Sequence, residues 1–203
     1  MRFIIFFFIS IVLIGISNAS EAGQTFDSVK NRGQIICGVH TGLNGFGAPD
    51  QKGNWTGIDV DVCRAVAAAM FGDAKKVRYV PLSAQQRLPA LQSGEVDLLS
   101  RITAWTLTRE ASNGLLFTNI NFYDGQGFLV SKKLGVKSAK ELNTATICVQ
   151  TGTTTELNLS DFARVNRLNI KPLTIESFEE TSRVFISGRC DAITADSSQL
   201  ATI

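Results

Sequence analysis

The chain has 203 residues, with 20 Lys and Arg against 18 Asp and Glu, and a formal net charge of +2. That balance lacks the clustered positive charge needed to neutralise phosphates, so nucleic acid is excluded as the expected partner. The cysteines, Cys37, Cys63, Cys148 and Cys190, include no Cys-x-x-Cys pair, which argues against a zinc or redox dithiol site.

Residues 1–19 read as an address. Arg2 precedes an apolar run from Phe3 to Ile16, and Ser17-Asn18-Ala19 places small residues for cleavage after Ala19. The run is short for a membrane span, which needs about 20 residues, and an uncleaved anchor is the alternative. Export would carry the cysteines into an oxidising compartment. About 184 residues would remain, enough for one sizeable domain or two small ones.

Apolar strands alternate with helical runs in the mature part, which implies α/β layers with mainly parallel sheets. The pattern predicts a strand over Gln34–Val39, then a helix over Asp59–Phe71 with Val62, Val66 and Met70 on one face and Asp59 or Asp61 as its cap. A strand over Val77–Val80 should end at Pro81, a helix over Ala84–Ser93 should kink or start at Pro89, and a strand follows at Val96–Ser100. The second half repeats the scheme: strand Thr146–Gln150, helix Thr154–Arg167, strand Ile170–Thr174, helix Phe178–Ser187, strand Cys190–Ala195.

The residues themselves echo. Ile36-Cys37-Gly38-Val39-His40-Thr41-Gly42 resembles Ile147-Cys148-Val149-Gln150-Thr151-Gly152, and Ser93-Gly94-Glu95-Val96-Asp97 resembles Ser187-Gly188-Arg189-Cys190-Asp191. Two echoes in one order suggest two lobes of like build. Asn121–Val130, with Gly125 and Gly127 among strand formers, suits a bending connection between them.

The stretch Asp97–Arg109 leaves an apolar strand and breaks into hydroxyls, Trp105 and Arg109. Ligands of open α/β sheets sit outside the carboxyl ends of strands, and a guanidinium fork there matches a carboxylate. A surface ion pair is the plainer use of one Arg. Trp105 is the tryptophan expected in the cleft, while Trp55 and Phe46 suit either a ligand wall or the core. His40 at a strand end suits a capping or solvent role more than a ligand wall.

The segments Gly33–Val39, Gly57–Val62, Leu91–Asp97, Thr106–Arg109, Tyr123–Phe128 and Gln150–Leu157 together resemble the periplasmic solute-binding proteins of polar amino-acid ABC transporters, above all the general L-amino-acid-binding subfamily. The resemblance implies a two-lobed periplasmic-binding-protein type II fold, with lobe 1 at residues 20–124 and a partial lobe 2 at 125–203. It also implies a monomeric periplasmic protein that captures free L-amino acids and delivers them to permease subunits, without cofactor, metal or catalytic residue. By the same likeness Arg109 grips the ligand carboxylate beside Thr103, Ala104 and Trp105, Thr153 and Thr154 add donors, and Asp196 takes the ammonium. From the residues alone, Asp196 suits a helix cap equally well.

Ala104 and Ile102 stand where the family commonly has polar residues, removing a hydroxyl contact worth about 0.5–1.5 kcal/mol. The chain also stops where the family continues, so a fragment is expected, binding only where both lobes are complete. Within-lobe disulfides, Cys37–Cys63 and Cys148–Cys190, leave a hinge free, although buried thiols would serve at the first pair. A hydrolase lacks support, since the single His is in no nucleophile or metal motif. A secreted enzyme of the same fold, such as a dehydratase, and an extracytoplasmic sensor lobe remain as alternatives.

Overall fold

The computed structural model describes residues 21–203, so the expected signal segment lies outside the described residues. In chain order the elements are α1 (Glu21–Arg32), β1 (Ile35–His40), β2 (Ala48–Pro49), β3 (Trp55–Thr56), α2 (Ile58–Phe71), β4 (Val77–Leu82), α3 (Arg87–Gln92), β5 (Leu98–Leu99) and α4 (Leu107–Ala111). They continue with β6 (Gln126–Val130), β7 (Thr146–Gln150), α5 (Thr154–Asn166), β8 (Lys171–Ile175), α6 (Phe178–Ile186), β9 (Ala192–Asp196) and α7 (Ser197–Leu200).

Two α/β lobes result. The first holds a parallel sheet in the order β4-β1-β5, and the second a mixed sheet in the order β6-β9-β7-β8. Central strands are the most apolar because both faces are covered: Cys37 and Val39 in β1, and Ile147, Cys148 and Val149 in β7, are fully buried. Both outer strands β4 and β8 contain a proline, Pro81 and Pro172, tolerated because an edge strand leaves one row of backbone donors unpaired. β4 therefore runs on through Pro81 to Leu82 instead of ending there.

α2 corrects the sequence reading twice. Its deeply buried face is Val60, Cys63 and Ala67, with Val66 and Met70 only flanking that core. Its cap position is Gly57, without a side-chain cap bond, which releases Asp59 for other contacts. A side chain on Gly57 would meet the Phe46 carbonyl at 2.3 Å, so glycine lets the loop before β2 lie against the helix start.

Pro89 sits in the first turn of α3, which starts at Arg87 rather than at Ala84 or at Pro89 itself. The strand expected over Val96–Ser100 shrinks to Leu98–Leu99. Half of the expected bending connection is a strand: Gln126–Val130 pairs antiparallel with β9, leaving Leu116–Gly125 as the irregular crossing. Cys37 and Cys63 are joined with Cα atoms 6.2 Å apart, and Cys148 and Cys190 with Cα atoms 5.8 Å apart, each pair within one lobe.

Candidate functional site

The carboxyl ends of β1, β4 and β5 face those of β7, β8 and β9, so whatever leaves these strands lines the space between the lobes. A cavity of about 410 Å³ lies there. Thr103, Ala104 and Trp105 form part of its first-lobe wall, and Thr154 and Asp196 part of its second-lobe wall. Five expected ligand residues are thus brought together by both lobes.

Arg109 and Thr153 stand one step behind. Arg109, 7% exposed, donates from Nη1 to the Ala104 carbonyl at 2.7 Å, and its own amide donates to Thr106 Oγ1 as part of the α4 cap. It grips the loop that faces the cavity. Thr153 caps α5, accepting from the Glu156 amide at 3.2 Å and donating to the Gln150 carbonyl at 2.7 Å, so its hydroxyl is spent on the helix start.

Asp196 occupies the cap position of α7 but makes no cap bond, which leaves its carboxylate to the cavity. Burial, then the neighbouring Asp124, raises its pKa, while Arg87 and Arg109 oppose the rise. Asp124 is fixed by the Ser198 hydroxyl and by the Gly125 amide at 2.8 Å. Two close carboxylates favour a cation between them, which suits an ammonium.

Three buried arginines back the other wall. Arg87, Arg101 and Arg109 form no ion pair among the described residues. Arg87 donates to the Ile102 carbonyl at 3.1 Å and Thr103 Oγ1 at 3.3 Å, and reaches across to the Gly152 carbonyl at 3.5 Å. Burial, then Arg101 and Arg109, lowers the Arg87 pKa, and burial brings Arg101 down to about 10. Such groups favour a ligand that brings negative charge.

The loop between them is strained. Ile102 has φ 27°, a region β-branched residues rarely adopt, and is held by its amide on Asp59 Oδ2 at 2.9 Å and its carbonyl on Arg87. Asp59 also accepts from Asn121 Nδ2 at 3.1 Å, tying α2 to the crossing segment. Burial raises its pKa, against those hydrogen bonds.

The aromatics divide. Trp105 stacks on Phe117 with centroids 5.7 Å apart and donates from Nε1 to Glu110 at 2.7 Å, while Phe46 meets Phe122 edge-on at the cavity. Trp55 packs on Tyr79 against the first-lobe core. His40 is buried rather than solvated, with Nδ1 accepting from the Gly42 amide.

Sequence reasoning missed Arg87, Arg101, Asp59 and Asp124 as site groups. Only Asp124, inside the Tyr-Asp-Gly stretch between the lobes, carried a local signal.

Residues 35–169 match the bacterial extracellular solute-binding proteins, family 3. The chain is 52% identical over 196 residues to the glutamate/glutamine/aspartate/asparagine-binding protein BztA of Rhodobacter capsulatus, covering 97% of this chain and 58% of that protein. It is 50% identical over 194 residues to the general L-amino acid-binding periplasmic protein AapJ of Rhizobium johnstonii, covering 96% and 56%. A periplasmic binding protein from Brucella ovis, solved with glutathione bound, superposes with a TM-score of 0.81 at 53% identity, covering 87% of this chain and 56% of that one. The chain therefore spans a little over half the length of these relatives. With a match over most of its length and a shared fold, the chain belongs to the bacterial extracellular solute-binding proteins, family 3.

Proposed function

We propose that the chain forms the ligand-binding part of a periplasmic, monomeric substrate-binding subunit of an ABC importer, capturing free L-amino acids between a lobe at residues 20–124 and a lobe at 125–203. The observation that carries this is the polarity of the cavity. Asp196 and Asp124 line it together with the loop gripped by Arg109 and Arg87, so it meets both carboxylates and a guanidinium-backed wall. A zwitterion matches that pair of charges: ammonium toward Asp196, carboxylate toward the Thr103–Trp105 loop and the start of α5. Delivery to permease subunits follows from the kind of protein that its relatives are named for.

Binding proteins rather than enzymes are what those relatives are named as.

The sequence leads to the expectation of binding only with both lobes complete, but both walls of the cavity are present in this chain, so residues 20–203 are the species to titrate. One or more free L-amino acids are expected to raise its melting temperature and to lose that effect in Asp196→Asn. If no amino acid stabilises the chain, or the variant binds unchanged, the reading fails. At 100 times the dissociation constant the stabilisation is about 2.7 kcal/mol, large enough to measure.

A further inference from the structure

Asp59 lines the cavity but is 3% exposed, and both of its oxygens are spent inside the protein. Oδ2 accepts from the Ile102 amide at 2.9 Å, and Oδ1 accepts from Asn121 Nδ2 at 3.1 Å. One carboxylate thus joins the loop that presents Thr103, Ala104 and Trp105 to the crossing segment that carries Asp124.

The start of α2, where Asp59 sits, is a fixed point of the first lobe. The Asp59 amide donates to the Phe46 carbonyl at 3.0 Å, the Ile58 amide donates to the Gly45 carbonyl at 3.0 Å, and the Cys37–Cys63 bond staples the next turn of the helix to β1. Neither partner of the carboxylate is held so firmly. Ile102 has φ 27°, a conformation that a β-branched residue leaves when nothing holds it there. Leu116–Gly125 belongs to no helix or strand, so no ladder of backbone bonds fixes Asn121.

The two partners bear on opposite charges of a ligand. Ile102 leads directly into the loop whose Ala104 carbonyl Arg109 grips, and Asn121 precedes Asp124 by three residues. Trp105 stacks on Phe117 nearer the start of the crossing, and a stacked pair can slide where a hydrogen bond fixes a distance.

We propose that Asp59 is a positioning residue for the amino-acid seat: it holds Ile102 with one oxygen and Asn121 with the other, and so sets the spacing between the loop that receives the ligand's carboxylate and the segment whose Asp124 receives its ammonium. This role rests on the reading of the cavity as an amino-acid seat. Because neither oxygen is free, Asp59 acts through its two partners.

Residues 20–203 are compared with Asn121→Asp and with the double change Asp59→Asn, Asn121→Asp. Asn121 is exposed, so the single variant keeps its fold while setting a carboxylate against Asp59. The double change restores one donor and one acceptor with their direction reversed. Without ligand, the ¹H–¹⁵N signals of the Ile102 amide and the Trp105 indole are expected to move in the single variant and to return in the double. With each common L-amino acid as probe, those that bind the parent should bind several-fold more weakly to the single variant and recover in the double. Signals that stay at their parental positions in Asn121→Asp overturn the proposal, as do signals that the double change fails to return, or affinities that do not follow the signals. A parent that binds no L-amino acid fails the reading of the cavity instead, and the ligand-free signals then decide by themselves whether Asp59 couples loop and crossing.

Discussion

Asp97 and Asp191 hold equivalent positions in the two lobes. Each accepts from the backbone amide of a neighbouring parallel strand at 2.7 Å, Asp97 from Ile36 and Asp191 from Thr146. Each also donates its own amide to the carbonyl of that residue, at 2.9 and 2.8 Å. The Ser-Gly-x-x-Asp echo thus marks a shared device: a helix stops at glycine, and the Asp pins the start of the central strand.

Replacing either Asp by Ala leaves a strand-end amide without its partner. A loss of about 1–3 kcal/mol is expected for each. Asp97→Ala should cost more because Asp97 also pairs with Arg32 of α1. Urea unfolding of both variants compares them directly.

Arg109→Ala should weaken amino-acid binding about ten- to a hundredfold, since it removes the guanidinium hydrogen bond that holds the Ala104 carbonyl of the cavity loop, and a hydrogen bond to a charged group is worth about 1.5–3 kcal/mol. The structure adds a distinction. Arg109 holds the Ala104 carbonyl from behind the loop, so Arg109→Lys should recover little, the shorter-reaching ammonium having no planar fork to match that geometry. Calorimetry on both variants checks this, and near-parental affinity in either removes Arg109 from the site.

Gly152 has φ +76°, and a Cβ there would lie 2.9 Å from Gln85 Cγ and 3.4 Å from the Gln85 amide. Gly152→Ala is expected to destabilise by about 1 kcal/mol or more through its backbone conformation. Urea unfolding of the variant against the parent reads that loss.

His40 gives a pH signature. Its folded pKa near 3 lies below the unfolded value of about 6.5, so between those values the unfolded chain binds more protons. Its contribution to stability is present above about pH 6.5 and is lost as pH falls, by up to ~1.4 kcal/mol per unit. The raised Asp59 and Asp196 act in the opposite sense, so the clean measurement is a difference. The stability advantage of the parent over His40→Gln should shrink as pH drops below about 6.5.

Reading the sequence worked best where one local cause was sufficient. β7 is Thr146–Gln150 as expected, and α5 and α6 begin where Thr153 and Ser177 offer caps after an apolar strand. It failed where distant residues decide. Asp59 looked like a cap until the fold brought Ile102 and Asn121 to it, and β6 looked like a flexible link because its partner β9 lies far along the chain. Arg87 gave no signal at all, since its partners Thr103 and Gly152 come from different elements in different lobes. Family likeness led to Thr153 and Arg109, yet the structure commits Thr153 to its helix and sets Arg109 behind the loop it grips.

The prolines of the outer strands bear on how copies of this protein behave in a crowded compartment. Pro81 and Pro172 interrupt the outward-facing edges of β4 and β8, so neither sheet can be extended there by a foreign strand without a gap in the ladder. β6 lies at the opposite margin of its sheet and contains no proline. Strand addition to the second sheet, whether in productive assembly or in aggregation, is thereby directed to β6.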